Sequence, residues 1–120
     1  MKYKNNQNYT ETNRKLLFIF KSMHKDKGES WIKRCFKRLP SVRPFLTSLH
    51  VEYWIIKGDV SLGDHRSMYI VSYDKKRKIY TCSCYNPLRK FSRWRQKRTC
   101  THVGAVMLYK LRESLKKENE

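Results

Sequence analysis

Long apolar runs are absent from this chain. The longest, Leu16-Leu17-Phe18-Ile19-Phe20, falls far short of the ~20 residues that a membrane-spanning helix needs. A polar, Asn-rich segment precedes it and no small-residue cleavage site follows, so a secretory signal is not expected either. Glycine (4) and proline (3) are scarce, which argues against a linker or a collagen-like chain. Acids are also few, with 10 Asp and Glu against 28 Lys and Arg. They are scattered, so no paired-carboxylate reaction centre is legible. A Gly-rich phosphate loop, His-Glu-x-x-His and Gly-x-Ser-x-Gly are all missing. The expectation is a binding protein and not an enzyme.

A length of 120 residues suits one domain, at most with an arm, around a modest core. The formal net charge of +18 means self-repulsion in the compact state and strong attraction to polyanions. Nucleic acid, an anionic membrane surface or an acidic protein are the classes of partner this allows. A membrane-surface role would need a basic amphipathic helix with a free apolar face. The only candidate, Glu29–Leu39, is needed for the core, so no membrane partner is expected.

The periodicity predicts an α+β chain. Residues 1–9 read as a polar N-terminal arm, and residues 10–120 as a single domain. A first helix is expected from about Thr10, capped by Thr10 or Thr12, to about Lys25, with Gly28 as the break. Ser30 is the expected cap of a second helix, in which Trp31, Ile32, Cys35, Phe36 and Leu39 form one apolar face. Pro40 ends it, and Pro44 keeps the connection extended. The period then changes to 2, giving a small antiparallel sheet of about three strands: Val51–Ile56, Met68–Tyr73 and Lys78–Cys82. Tyr69, Val71 and Tyr73 share one face of the second strand. Turn chemistry lies at Gly58-Asp59, Leu62-Gly63-Asp64 and Asp74–Arg77. An irregular basic loop follows from Tyr85 to Thr99. A C-terminal helix then begins at Cys100, with Val103, Val106, Met107, Leu111 and Leu115 on one side.

The spacing Cys82-x-Cys84, fifteen residues, Cys100-x-His102 carries the most chemistry. Three soft thiolates and one imidazole are the donor set of a closed, four-coordinate structural zinc site, without an open position for catalysis. A strand end lets Cys82 and Cys84 point at one ion. A helix start places Cys100 and His102 where the dipole and nearby cations favour thiolates. Free core thiols or a redox pair are the alternative. Two disulfides are disfavoured because a Cys-x-Cys disulfide is strained and nothing marks the chain as secreted. A reducing, intracellular setting (cytoplasm, nucleoid or nucleus) is therefore expected. Cys35 reads as a small buried hydrophobe, and His24, His50 and His65 as ordinary surface or turn histidines.

The ligand order, the preceding Tyr69-Ile70-Val71 and Ile79-Tyr80-Thr81-Cys82 hairpin, and the following His102-Val103-Gly104-Ala105-Val106-Met107 resemble the SWIM zinc-finger domain. The resemblance covers about residues 67–111. It implies that Cys82, Cys84, Cys100 and His102 ligate one structural Zn²⁺ within a short β-β-α core. SWIM domains occur in transposases, chromatin-remodelling helicases and regulators of recombinases, with DNA-binding or protein-interaction roles.

From residue 75 to residue 98 there are ten cations and no acid. Lys75, Lys76, Arg77 and Lys78 form one group. Arg89, Lys90, Arg93, Arg95, Lys97 and Arg98 form a second, interleaved with Phe91 and Trp94. Cations suit a phosphate backbone, and aromatics among them add stacking surfaces worth roughly 1–3 kcal/mol each. A solvated loop whose aromatics fold back on a small core is the plainer alternative. The expected function is nucleic-acid binding dominated by phosphate contacts, with DNA favoured over RNA by the resemblance. The competing expectation is an adaptor that docks on a recombinase or transcription protein through the Trp31–Phe36 face or the Trp54 strand.

Overall fold

The computed structural model describes residues 2–84 and 99–118, with side chains from residue 11 onward. Two helices, α1 (Lys2–Met23) and α2 (Glu29–Arg38), precede a 3-10 turn at Leu39–Ser41. Four strands follow: β1 (Val42–Thr47), β2 (Val51–Lys57), β3 (Met68–Asp74) and β4 (Ile79–Cys82). A final helix, α3, spans Thr101–Glu118. The sheet is an antiparallel meander in the order β1-β2-β3-β4.

Helix α1 starts at Lys2, so the stretch expected as an arm continues the helix, and Thr10 and Thr12 lie within it. Among its described side chains, only Leu16 and Phe20, four residues apart, are fully buried, as one narrow contact stripe requires. Gly28, not Ser30, is the N-cap of α2, with no side-chain cap bond. The expected apolar face of α2 points inward. Phe20 stacks on Trp31 at 5.7 Å and meets Phe36 edge-on at 6.2 Å, while Ile32, Cys35 and Leu39 are buried. His24 also sits against Phe20 and Trp31, with ring centroids at 4.7 and 5.1 Å. Burial holds its pKa below the usual imidazole value, so it is not the plain surface histidine expected.

Strand β1 is the fourth strand, one more than expected. Pro44 disguises it in the sequence, since proline cannot donate to a ladder. Here Pro44 lies on an edge strand, and the register against β2 shifts between Pro44 and Leu46. Edges and bulges are the places where a sheet tolerates proline.

Pairing puts Val42, Trp54, Ile56, Tyr69, Val71 and Cys82 on one face, packed against Val103, Ala105 and Val106 of α3. A second cluster joins Leu16 and Phe20, Ile32, Cys35 and Leu39 to Leu108 and Leu115, farther along α3. Helix α3 therefore serves two cores. Its first turns face the sheet and its later turns face α1 and α2. Residues 102–106 are all buried, so this stretch is covered on every side. The opposite face of the sheet leaves Ile70 and Met68 exposed.

Helices α2 and α3 approach closely at Gly104. A Cβ there would lie 2.4 Å from Cys35 Sγ and 2.8 Å from the Trp31 ring, well inside van der Waals contact. Gly104→Ala should therefore lower the unfolding free energy by about 1–3 kcal/mol, the usual cost of overpacking. Urea unfolding of the variant checks this, and an unchanged midpoint would contradict the close packing.

Candidate metal centre

The geometry of the centre begins with the end of β4. Past Cys82, Ser83 N donates to Ile70 O at 2.9 Å and Ile70 N donates to Ser83 Oγ at 3.0 Å. Arg66 Nη1 donates to Ser83 O at 2.8 Å. These bonds pin the residue between the two cysteines and turn both thiols to one side. Cys84 N lies 3.5 Å from Cys82 Sγ as a donor.

The other pair comes from the start of α3. Gly104 N donates to Cys100 O at 2.9 Å, and Val103 N reaches Cys100 Sγ at 3.4 Å. The Cys100 sulfur thus accepts an N–H that the first turn of a helix leaves unpaired. Trp31 Nε1 donates to Thr99 O at 2.9 Å, which ties the entry of this turn to α2.

One ligand atom each from Cys82, Cys84, Cys100 and His102 lies within 4.8 Å of all the others. Four donors around one zinc, at Zn–S about 2.3 Å and Zn–N about 2.0–2.1 Å, would sit roughly 3.5–3.8 Å apart. The cluster can hold one metal ion, and its donor chemistry suits zinc. The thiols already interact. Hydrogen bonding from Cys82 and Cys84 drives Cys100 well below the usual thiol value. The same bond to Cys100, with one to Cys84 and burial, pushes Cys82 well above it.

The imidazole tests the fit independently. His102 is 5% exposed. Its Nε2 lies 3.1 Å from Asp64 Oδ1, while its Nδ1 is buried with no hydrogen-bond partner. A buried polar nitrogen left unpaired is costly, and a metal ion held by the cluster, to which His102 offers a ring nitrogen, would remove that cost if it bound there. The Tyr69 ring stacks on His102 at 4.1 Å between centroids. The Tyr69 hydroxyl accepts from His65 N at 3.0 Å and Arg66 N at 3.2 Å, so the stacking ring is itself held in place.

Two residues of this centre were not legible as such. Asp64 reads as turn chemistry, yet its side chain is buried. Arg38 lies outside the apolar face expected of α2, yet it is 3% exposed and paired with Asp64. Burial opposes ionisation of Asp64. The Arg38 hydrogen bond, the Asp59 amide and the neighbouring His102 outweigh it and hold the carboxyl below its usual range.

Of the basic residues expected to contact nucleic acid, the described ones stand apart from the centre. Lys75, Lys76, Arg77 and Lys78 are exposed in the β3–β4 turn. Asp74 Oδ1 accepts from Lys76 N and Arg77 N, both at 3.0 Å, and Lys78 takes a positive φ of 59°. That turn lies at the far end of β4 from Cys82, about 13 Å away at 3.3 Å per residue. Arg89, Lys90, Phe91, Arg93, Trp94, Arg95, Lys97 and Arg98 lie outside the described residues. Cys35 is buried as expected, and burial pushes its thiol well up. His50 and His65 are exposed.

Structural zinc contributes about 10–16 kcal/mol in small metallo-domains, as much as the whole stability of a typical domain. Cys84→Ser or a strong chelator should therefore unfold the C-terminal half, seen as loss of its thermal transition. Metal-free protein that keeps the full transition would contradict this.

No protein-family model matches the chain, and no curated protein or solved structure matches it significantly.

Proposed function

We propose that this chain is a zinc-stabilised, SWIM-like nucleic-acid-binding protein. The observation that supports it most is the convergence of Cys82, Cys84, Cys100 and His102, with a buried Nδ1 of His102 that has no hydrogen-bond partner. Three thiolates and a neutral imidazole make a complete tetrahedral set, so the zinc has a structural role and no reaction is assigned to it. When bound, the ion supplies the cross-link between the end of β4 and the start of α3.

That cross-link closes the segment between Cys84 and Cys100, which carries six cations and no acid. In this reading Arg89, Lys90, Arg93, Arg95, Lys97 and Arg98 contact phosphates, with Lys75, Lys76, Arg77 and Lys78 as a second group. Phe91 and Trp94 stack on bases or pack beneath the cations. DNA is favoured over RNA by the resemblance to SWIM domains. The setting is an intracellular, reducing compartment, in keeping with zinc-binding thiols.

The adaptor alternative draws less support from the packing of the surfaces it named. The Trp31–Phe36 face packs on Phe20, and Trp54 is buried against Tyr109, with ring centroids at 5.3 Å. Among the described residues, no helix is long and apolar enough to cross a membrane.

The test is binding of duplex DNA, single-stranded DNA and RNA probes at several salt concentrations. Each phosphate neutralised on duplex DNA contributes about −0.9 to the slope of log K against log salt. Changing Arg93, Arg95 and Lys97 together to Glu should weaken binding and flatten that slope by about 2.7. If neither affinity nor slope moves, the basic segment is not the contact surface.

A further inference from the structure

We infer that Asp64 is the positioning residue of the metal centre: it takes the Nε2–H of His102, so that Nδ1 is the ligating atom, and Arg38 of α2 holds Asp64 in place. This rests on the metal-site reading above and assigns roles to two residues outside the ligand set.

Donors crowd the Asp64 carboxylate. Arg38 Nη1 donates to Oδ2 at 2.5 Å and Nη2 to Oδ1 at 3.1 Å. Asp59 N donates to Oδ2 at 2.8 Å. His102 Nε2 is the fourth neighbour, at 3.1 Å from Oδ1. An ionised carboxylate only accepts hydrogen bonds, so Nε2 must carry the proton. A neutral imidazole with Nε2 protonated has its lone pair on Nδ1, which is buried with no hydrogen-bond partner, in a residue that offers one ring nitrogen to the cysteine cluster. The tautomer therefore follows from Asp64.

The ring cannot satisfy both ends in another way. Turning it over would swap each nitrogen for a carbon, leaving Asp64 without its donor and the sulfurs without a nitrogen. Tyr69, stacked on the ring, adds a steric restraint in the same sense. A ligand histidine whose second nitrogen donates to a carboxylate is more basic and better oriented than one facing water.

Arg38 completes the chain of contacts. Its third donor, Nε, reaches Thr101 Oγ1 at 2.9 Å, next to His102 in sequence. The planar guanidinium thus binds Asp64 through two nitrogens and the start of α3 through a third, which a lysine cannot reproduce. Arg34 Nη1 donates to Leu62 O at 3.1 Å, so α2 grips the Asp64 loop twice. The +1 of Arg38 also offsets the charge that Asp64 brings to a centre already rich in thiolate.

A plain buried ion pair would affect stability alone, so the deciding readouts are metal affinity and the identity of the ligating nitrogen. In full-length, zinc-loaded protein, long-range ¹H–¹⁵N spectra of His102 should show Nε2 protonated and Nδ1 metal-bound. Competition with a chromophoric chelator should show zinc affinity reduced about 10–100-fold in Asp64→Asn, and reduced in Arg38→Lys. Lys110→Met is the control. It removes another partly buried ion pair on α3, with Glu52 at 2.7 Å, and should lower stability with zinc affinity unchanged. A metal-bound Nε2 in the unmodified protein would overturn the inference even if the Asp64 variant fails to fold. Wild-type zinc affinity in a folded Asp64→Asn variant would overturn it too. Each of these outcomes leaves the metal reading intact, whereas a full-length protein that binds no zinc at all would remove both.

Discussion

A single buried carboxylate, Asp64, connects the helical half of this protein to the half that carries the Cys82, Cys84, Cys100 and His102 cluster. A charge removed from water is tolerated only where donors saturate it, and Asp64 draws those donors from three places. Arg38 comes from α2, the Asp59 amide from its own loop, and His102 from the start of α3. Breaking one bond would leave the others around an incompletely satisfied ion. The carboxylate thus ties the end of α2 to the start of α3 and fixes one nitrogen of the His102 ring.

Helix α3 distributes that constraint. Cys100 immediately precedes it and His102 lies in its first turn, its next residues fill the sheet core, and its later turns fill the helical core. Such a helix has no polar face for its first two turns, and Gly104 is where α2 can come closest. The metal cluster, the sheet and the helix pair share this element, so displacement at one is felt by the others.

Much of this was legible in the sequence because its signals are local. Period-2 alternation marks β2 and β3, and the i, i+4, i+7 stripe of Ile32, Phe36 and Leu39 marks α2 and the residue that follows it. Ligand spacing brings Cys82, Cys84, Cys100 and His102 together, since a strand end and a helix start aim their side chains predictably. What escaped notice depends on distant partners. Asp64 lies 38 positions from His102 and 26 from Arg38, and nothing in its neighbours distinguishes a buried carboxylate from a turn. Strand β1 was hidden by Pro44, whose missing N–H is harmless at an edge. The helix starts were misplaced: α1 begins before Thr10, and Gly28, with no side-chain cap bond, takes the cap position expected for Ser30.

The use of acids inside the fold has a consequence for what surrounds the protein. Asp64 is enclosed by donors, Glu52 is bonded to Lys110, and Asp74 is turned onto backbone amides of its own turn. Several of a small stock of ten acids are therefore committed within the chain, while Lys75, Lys76, Arg77 and Lys78 stand in solvent. Folding separates the two signs. The counter-charge for the exposed lysines and arginines must come from the medium, as a diffuse cloud of small anions or as one long anion that displaces it.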